Sequence, residues 1–442
     1  MGVSTVPERF AATGTDTAVS ITRAVTMHRI GVRLVFDERL DAERLERAVR
    51  LTLDAEPILG CSFCTDEFKA YWERIGDLDS VRAFTVLETQ DPERANVEFQ
   101  TVELGDSGPH AAVGLFRSAD RDILGIKVNH VAADGSAAKQ YAYLLASIYT
   151  RLGVDPAFTP TPNVGARPTA RDVWAQLDSG QQRAAKKAKS WALPNWDVPA
   201  TGQSGEGLTY RSEILVPGRF AELKAQGTAR GATVNDLLLT AFFRACVLAF
   251  QPAAGKPLSL MCTADLRRYL PDAARLPIGN ISISGSLDIA RVEGESFDDT
   301  LVRMRERMGA WGSACYGAAP ALNAEKMTSL GYTMTKLMLE TMFRLSGGSG
   351  KTYPWFTNIG ILDDARLRFG DQTPVAGSMY GPATRGASII PAFSTYRNEI
   401  TMCMGFCPGD MDAGVVDRVL SLTKAELESL LSQAEGSAQE DA

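Results

Sequence analysis

Residues 124–136, LGIKVNHVAADGS, place one histidine directly after the most apolar strand-like run of the chain and before an Asp-Gly turn. A histidine at a strand end projects into a cleft, and its unperturbed pKa of about 6.5 lets it accept a proton at neutral pH. Asp134 can cap the following helix and pair with an arginine, and Gly135 tolerates a tight turn. By spacing alone, His130 fits a catalytic base and a buried structural histidine equally well.

Composition limits the class of protein. The 442 residues are about three times a typical domain length, which predicts two or more packed lobes. The formal net charge of -7 argues against a nucleic-acid partner, because phosphate backbones need a clustered basic face. No run approaches the roughly 18 apolar residues of a membrane span, and the first residues lack a secretory signal. We therefore expect a cytoplasmic, monomeric protein.

Seven cysteines, an odd number, favour free thiols over a disulfide framework. Cys61 and Cys64 form a CxxC pair, and Cys403 and Cys407 form a CxxxC pair, so a zinc or redox site is an alternative. The alternating pattern of ITMCMGFC, residues 400–407, indicates instead one face of a strand. We predict that these thiols are small buried hydrophobic groups.

The order of elements predicts four parts: an N-terminal lobe over 1–165 that carries His130, a proline-rich connector over 166–207, a C-terminal lobe over 208–434 and a disordered acidic tail over 435–442. Alternating and apolar runs predict strands at 30–36, 70–72, 98–104, 111–116, 123–129, 208–216, 258–263, 281–287, 355–361, 388–394 and 399–406. Helical periodicity predicts helices at 41–57, 136–152, 233–250 and 412–433, with two more between 297 and 345.

The connector contains the only dense basic cluster, formed by Arg183, Lys186, Lys187 and Lys189. This cluster fits the phosphates of coenzyme A or the acidic face of a carrier protein, and the alternative is a solvated helix face.

Two further motifs invite other readings. Residues 347–352, GGSGKT, lack the first glycine of a phosphate-binding loop and follow a helix, so we predict a flexible loop. A methionine stripe in the preceding helical region is either adaptable core or the lining of an acyl tunnel; it consists of Met327, Met334, Met338 and Met342.

Four stretches together resemble the acyltransferase superfamily of chloramphenicol acetyltransferase, peptide-synthetase condensation domains, wax ester synthases and plant-type acyltransferases. HVAADG at 130–135 is similar to its HxxxDG motif, and ATVNDLLLTAFFRA at 232–245 to its second-lobe helix. The segment 265–284 resembles its Asp-x-Arg followed by Gly-Asn, and FTNIGILDD at 356–364 the strand opposite the histidine. Asn129 replaces the first of two histidines, and the plant-type Asp-Phe-Gly-Trp-Gly is missing. The chain is thus more similar to stand-alone condensation-like and wax-ester-synthase-type members.

This resemblance implies an α/β fold of two chloramphenicol-acetyltransferase-like lobes, each a mixed sheet flanked by helices, in a V with a central tunnel. It implies acyl transfer from a thioester, either acyl-CoA or a carrier-protein thioester, to an alcohol or amine, in natural-product or lipid metabolism. His130 would act as general base without an acyl-enzyme. Coenzyme A or phosphopantetheine would enter only as part of the donor, and neither a cofactor nor a metal is implied.

The resemblance also implies roles around His130. Asp134 would hold the turn by pairing with Arg267, although Arg268 is adjacent, and Asn280 would stabilise the lobe junction. The backbone near Gly135 and four polar side chains are candidates for oxyanion or substrate binding: Asn129, Thr357, Asn358 and Ser388. We expect the other two histidines, His28 and His110, to be ordinary and partly exposed. Two alternatives are cyclisation or isomerisation on the same scaffold and a non-catalytic module that recruits a partner.

Overall fold

The structure is a computed structural model that describes residues 6–24, 26–188, 192–202, 207–347 and 350–440. Its strands are β1 (Arg9–Ala11), β2 (Thr26–Met27), β3 (Arg29–Phe36), β4 (Cys61–Thr65), β5 (Ala70–Arg74), β6 (Phe84–Glu88), β7 (Ala111–Arg117), β8 (Asp122–Asn129), β9 (Thr209–Ile214), β10 (Pro257–Asp265), β11 (Ser282–Ala290), β12 (Trp355–Leu362), β13 (Ala376–Tyr380), β14 (Ala383–Thr384), β15 (Pro391–Tyr396) and β16 (Glu399–Phe406). Its helices are α1 (Gly14–Ile21), α2 (Ala42–Ala55), α3 (Pro92–Thr101), α4 (Gly135–Val154), α5 (Ala170–Gln176), α6 (Ser179–Lys187), α7 (Phe220–Ala229), α8 (Val234–Phe250), α9 (Phe297–Ser313), α10 (Ala318–Thr328), α11 (Tyr332–Gly347) and α12 (Ala413–Glu440).

The first sheet has the order β13-β3-β8-β7-β6, in which only β6 and β7 run parallel among its neighbouring pairs. The alternating residues Ile30, Val32, Leu34 and Phe36 of β3 are buried in one hydrophobic core with residues of α2 and α4. These residues form one face of β3, and Val35 on the opposite face is buried in a second cluster, so the strand predicted at 30–36 is confirmed and is buried on both faces.

The strand β13 links the two halves of the chain. It follows β12 in sequence, yet it pairs antiparallel with β3, from Ala376 opposite Val35 to Tyr380 opposite Gly31. The sequence predicts no strand here and assigns these residues to the C-terminal lobe. Pairing of β13 supplies partners for the outer edge of β3, which would otherwise leave unpaired backbone groups at a sheet edge.

The second sheet has the order β11-β10-β12-β15-β16-β9 and is mixed, because β12 runs parallel to both β10 and β15. Helices α8 and α12 pack on its hydrophobic core. Thr233 and Asp236 form a reciprocal capping box at the start of α8, where the sequence predicts a helix capped by Thr233. Asp41 likewise caps α2 through the backbone N–H of Arg44.

Three predicted elements are wrong or incomplete. Residues 92–101 form the helix α3 rather than a strand at 98–104, because Asp91 caps the helix and Pro92 occupies its first turn. Three helices, α9, α10 and α11, occupy the region where the sequence predicts two. The final helix continues to Glu440, whereas the sequence predicts a disordered tail from residue 435, and residues 441–442 lie outside the described part.

Mixed sheets flanked by helices confirm the α/β fold class. Among the described residues no single helix has the length and apolar composition to cross a bilayer; α7 and α8 meet both criteria only when taken together, and they are bent by 94°.

Candidate active site

The three histidines of the chain lie at the same end of three adjacent strands. His28 precedes β3, His130 follows β8, and His110 precedes β7. The backbone N–H of His130 donates to the carbonyl of His28 at 3.0 Å, and that of Asn129 donates to the carbonyl of His110 at 2.9 Å. The sheet itself therefore positions residues 129–135, which we call the histidine loop, between the other two histidines.

His28 and His110 are not partly exposed, and that prediction is wrong: their exposed fractions are 3% and 0%. The ring of His110 packs edge-on against Trp72 at 4.9 Å, and that of His28 lies 6.4 Å from the ring of His130. Burial, followed by nearby positive groups, lowers the pKa of both histidines to about 3. Both rings are therefore uncharged at neutral pH.

His130 is half-buried, and its tautomer follows from one contact. Its Nδ1 lies 3.0 Å from the carbonyl oxygen of Ala133, which can only accept, so Nδ1 carries the proton and donates. The lone pair is then on Nε2, which makes no hydrogen bond to the described residues and is not sealed from solvent. Burial lowers the pKa of His130, although the charge of Asp134 opposes this, so the ring is neutral at pH 7.

Asp134 is buried and uses its carboxylate to hold the backbone around it. It caps α4 by accepting from the N–H of Ala137 at 3.0 Å, and its other oxygen accepts from Arg267 Nη1 at 2.7 Å. The same oxygen accepts from the N–H of Ile281 at 2.8 Å and from both the N–H and the hydroxyl of Ser282 at 3.1 Å. Burial raises the pKa of this carboxyl, but Arg267 and the backbone N–H groups of Ile281 and Ala137 together outweigh burial and hold the pKa below its usual value.

Arg267, rather than Arg268, is the partner of Asp134. Arg267 is 4% exposed, and besides Asp134 it donates to Asp265 Oδ1 at 3.2 Å and to the carbonyl of Gly279 at 2.7 Å. Arg268 instead donates to the carbonyl of Asp265 and lies 4.5 Å from the ring centre of Tyr316. The structure thus settles the choice that the adjacent arginines leave open in the sequence.

Asn280 joins the second half of the chain to the histidine loop. Its Nδ2 donates to the carbonyls of His130 at 2.8 Å and Val131 at 2.7 Å. The carbonyl of Gly279 accepts from the N–H of Asp134 at 3.4 Å. Residues 277–282, which we call the Asn280 segment, therefore hold the loop at both its start and its end.

Sequence reasoning missed a second clamp, made by Arg167 and Asp16. Arg167 donates to the carbonyl of Ala132 at 3.1 Å and to that of Ile278 at 3.0 Å, so it bridges the histidine loop and the Asn280 segment. Its guanidinium forms an ion pair with the buried Asp16, which also accepts from Trp72 Nε1 at 3.1 Å. No local pattern indicates this clamp, because its two charged residues lie 151 positions apart.

Close packing, rather than the backbone conformation that the sequence suggests, favours glycine at position 135. Its φ is not in the left-handed region, but a Cβ there would lie 3.3 Å from Ile359 on β12. A second contact joins the same elements, because Lys139 Nζ donates to the carbonyl of Ile359 at 2.6 Å. The start of α4 therefore packs closely on β12, which carries two of the predicted substrate-binding residues.

Asn129 is not placed to bind substrate, which corrects that prediction. It is 0% exposed, and its side chain donates to the carbonyl of Leu104 at 3.1 Å and accepts from the N–H of Val131 at 3.0 Å. A buried amide with these partners shapes the loop, which is a structural role.

The other predicted substrate-binding residues lie in the second half of the chain. Asn358 bonds Asn235 at 3.1 Å and the N–H of Gly360 at 3.0 Å. Thr357 on β12 and Ser388 before β15 are half-buried, and neither makes a hydrogen bond to the histidine loop in the described part of the chain. The backbone N–H groups of Gly135 and Ser136, in contrast, have no partner among the described residues.

The remaining motifs lie outside this site. Three stripe methionines, Met334, Met338 and Met342, are exposed on α11, so core packing does not describe them. Residues 348–349 of the GGSGKT loop and Lys189 of the basic cluster lie outside the described part.

All seven cysteines are free thiols. Six of them are buried, among them Cys61 on β4, and Cys64 on the same strand is half-buried. Burial raises the pKa of Cys61 to about 12, so its thiol is protonated at neutral pH. Within the described ranges no group of three or more His, Cys, Asp or Glu side chains could hold a metal ion.

Comparison with solved structures gives consistent matches over nearly the whole chain. The first condensation domain of the calcium-dependent antibiotic synthetase matches 96% of both chains at 19% identity, with a TM-score of 0.69. The EpoB cyclization-docking bidomain from Sorangium cellulosum matches 97% of this chain and 87% of its own, at 16% identity and a TM-score of 0.65. The epimerization domain from the third module of tyrocidine synthetase B matches 98% of this chain and 99% of its own, at 16% identity and a TM-score of 0.63.

No protein-family model matches the sequence, and no curated protein matches it either. Identities below one fifth to these solved structures establish the fold rather than the reaction. The chain has the condensation-domain fold, which confirms the fold that the resemblance of its motifs implies.

Proposed function

We propose that this protein is an acyltransferase that moves an acyl group from a thioester donor to an alcohol or amine acceptor. One observation carries the proposal: His130 has an unprotonated, accessible Nε2, and hydrogen bonds from Asn280 and Arg167 fix the loop that carries it. A general base needs this form of the imidazole and a fixed position. The condensation-domain fold supports the choice of thioester chemistry.

The proposed reaction runs through one tetrahedral intermediate. Nε2 of His130 takes the proton of the acceptor O–H or N–H while the acceptor atom forms a bond to the thioester carbonyl carbon. The carbon–sulfur bond then breaks, and the proton passes from Nε2 to the leaving thiolate. The products are an ester or amide and a free thiol, and no acyl-enzyme forms. Holding both substrates at one ring supplies part of the acceleration through proximity.

We propose that the unbonded N–H groups of Gly135 and Ser136 stabilise the developing oxyanion. They lie at the start of α4, where the helix dipole favours negative charge. Asp134 is a positioning residue, because its oxygens are engaged by Arg267 and by backbone donors. Asn280 and Arg167 act in the same way, through the carbonyl groups of the loop.

The donor thiol is either coenzyme A or the phosphopantetheine arm of a carrier protein. Relatives in fold include domains of nonribosomal peptide synthetases, which supports a carrier protein as a partner. We propose a role in natural-product or lipid metabolism on the same basis.

The test is thiol release from a panel of acyl thioesters, measured with and without alcohol and amine acceptors. We expect acceptor-dependent release that falls by about 100-fold or more in His130→Ala, the range expected for loss of a general base. Added imidazole should restore part of the activity of this variant, since the lost group is the ring itself. His110 is unsuitable as a control because its ring is fully buried. Arg268→Ala, which changes an exposed side chain, provides one.

The pH profile gives a second readout. Because burial lowers the pKa of His130, the rate should decrease on the acid side with a midpoint at a pH below the ordinary histidine pKa of about 6.5. Full turnover by His130→Ala would refute the base mechanism. A folded protein that releases no thiol from any donor would favour the non-catalytic module, and product formation without an acceptor would favour cyclisation or isomerisation.

A further inference from the structure

A cavity of about 200 Å³ lies between the connector helices α5 and α6 and the helix α10 of the second half. Its lining includes the half-buried ring of Trp174, the amide of Asn323 and two ammonium groups, those of Lys186 and Lys326. None of these residues belongs to the histidine loop or to the segments that clamp it. The cavity is therefore separate from the candidate active site.

Within the described part of the chain, no carboxylate pairs with the cations at this cavity. Lys186 and Lys326 make no ion pair with the described residues, and neither does Arg183, which lies one helical turn before Lys186 on α6. In contrast, arginines elsewhere on the surface, such as Arg219 and Arg230, contact a carboxylate. Unpaired positive groups gathered in a chain of formal net charge -7 favour an anionic ligand.

The cavity also offers an aromatic surface. Lys186 Nζ lies 5.5 Å from the ring centre of Trp174, so a cation and a flat ring share one wall. Gln182 fixes the two connector helices against each other, because its Nε2 donates to the carbonyls of Trp174 and Leu177 at 3.1 Å. A ring beside cations suits a ligand that combines a base with phosphate groups, since bases stack on aromatic side chains.

The cavity is close to the clamp of the candidate active site. Ala185 and Ala319 line it, and both belong to one buried cluster with Leu266 and Ile281. Leu266 precedes Arg267, and the N–H of Ile281 donates to Asp134. One buried cluster therefore contacts both the cavity and the residues that hold the histidine loop.

We propose, resting on the proposed acyltransferase function, that this cavity binds the phosphorylated nucleotide end of a coenzyme A thioester. Coenzyme A carries an adenine ring, a diphosphate and a phosphate monoester, which match a flat ring and several unpaired cations. A carrier protein presents a folded surface and a single phosphodiester, which match a small concave cavity less well. Of the two donor classes that the proposed function leaves open, this cavity therefore favours coenzyme A.

Direct binding tests the site without relying on turnover. The full-length protein is titrated with coenzyme A, with adenosine 3′,5′-diphosphate and with inorganic phosphate in a calorimeter. We expect Lys186→Ala/Lys326→Ala to weaken binding of coenzyme A and the diphosphate about tenfold, from the loss of two exposed charge contacts. Trp174→Leu should weaken both nucleotides but leave phosphate unchanged. The matched control is Lys187→Ala, which removes the same charge next to Lys186 without lining the cavity; it should change affinity less than about twofold.

Steady-state kinetics test whether the cavity binds the donor of the proposed reaction. The double lysine variant should raise KM for an acyl-CoA about tenfold while leaving KM for the matching acyl-pantetheine, which lacks phosphate and nucleotide, unchanged. A carrier-bound donor forms the third arm. A rise in KM for that donor but not for acyl-CoA would overturn the inference, because the lysines would then recognise the carrier protein.

The two proposals fail separately. Equal losses in the double variant and in Lys187→Ala, or no binding of coenzyme A by the unaltered protein, would overturn the cavity assignment even if His130-dependent transfer from acyl-pantetheine is intact. Binding that shows the expected variant pattern, together with no thiol release from any thioester, would support a nucleotide site and refute the acyltransferase function.

Discussion

Two arginines of this protein are both buried but differently bonded. Arg267 is 4% exposed and Arg29 is 1% exposed. Arg267 bonds Asp134, Asp265 and the carbonyl of Gly279, and only its Nε lacks a partner. None of the three side-chain nitrogens of Arg29 makes a hydrogen bond within the described residues, and the carboxylate of Glu103 stays 3.8 Å from Nη1.

The difference teaches that burial alone does not make a charge structurally important. A buried cation costs several kcal/mol unless hydrogen bonds and an opposite charge compensate it. Arg267 is compensated, and removing it would leave the Asp134 carboxylate buried with too few donors. Arg29 is poorly compensated; burial lowers the pKa of Lys127 to about 8, and the charge of Arg29 adds to this. We therefore expect one arginine to support the fold of the site and the other to cost stability.

The largest expected effect is the loss of Arg267. Arg267→Met should lower the free energy of unfolding by about 3–5 kcal/mol, because Asp134 keeps a buried charge without its partner. Urea unfolding measures this change. Arg268→Met is the control, since it loses only exposed contacts, one to the ring of Tyr316 and one to the carbonyl of Asp265, and should cost about 1 kcal/mol or less. Similar losses in the two variants would contradict the clamp.

The next largest expected effect is a pH dependence of the free energy of unfolding, which comes from the buried carboxyl group of Glu56. Its carboxylate accepts from Asn163 Nδ2 at 2.9 Å and from the N–H of Ile278 in the Asn280 segment at 3.1 Å. Burial raises its pKa from 4.5 to about 7, although both hydrogen bonds and Arg167 oppose this. Between these two values the folded state binds more protons than the unfolded state, so stability falls as pH rises.

We expect this group to remove up to roughly 3 kcal/mol between pH 5 and pH 8. Urea unfolding at four pH values measures the slope, and in Glu56→Gln the part of it due to this carboxyl should disappear. A slope that is unchanged in Glu56→Gln would show that other groups produce it. Ala55 is next to Glu56 and carries no charge, so Ala55→Gly controls for general loosening at this position.

The smallest effect has the opposite sign. Arg29→Met should raise the free energy of unfolding by about 1 kcal/mol, because a buried cation without hydrogen bonds is replaced by an apolar side chain of similar length. Arg33→Met is the matched control on the same face of β3, where it loses an ion pair to the exposed Glu93 and should cost about 0–1 kcal/mol. A loss above about 2 kcal/mol in Arg29→Met would show that Arg29 is compensated after all.

Local patterns predicted much of the fold correctly. The alternation at 30–36 predicted β3, and the capping residues Asp41 and Thr233 predicted the starts of α2 and α8. The strand predicted at 98–104 was wrong, because local signals compete there. Residues 98–101 form the end of the helix α3, which begins at Pro92 and is capped by Asp91. The local pattern also failed for β13, because a short strand is defined by its distant partner β3 rather than by its own residues.

The sequence likewise predicted some residues of the candidate site and missed others. The resemblance in sequence named His130, Asp134, Gly135 and Arg267, and the structure brings Asp134 and Arg267 within 2.7 Å. It did not indicate the burial of His28 and His110, which depends on the elements that cover the strand ends. Nor did it indicate Arg167, whose partners Ala132 and Ile278 come from opposite halves of the chain.

The sequence by itself determined the strand, turn and helix around His130, because the apolar run, the capping Asp134 and the start of α4 depend on neighbouring residues. Only the tertiary structure decided which arginine pairs with Asp134, that Asn129 is buried, and that Nε2 of His130 is the free nitrogen. The first two features depend on hydrogen bonds and packing between residues far apart in the chain, whose geometry no local pattern contains. The third depends on the folded geometry of the turn, which brings the carbonyl of Ala133 to Nδ1 of His130.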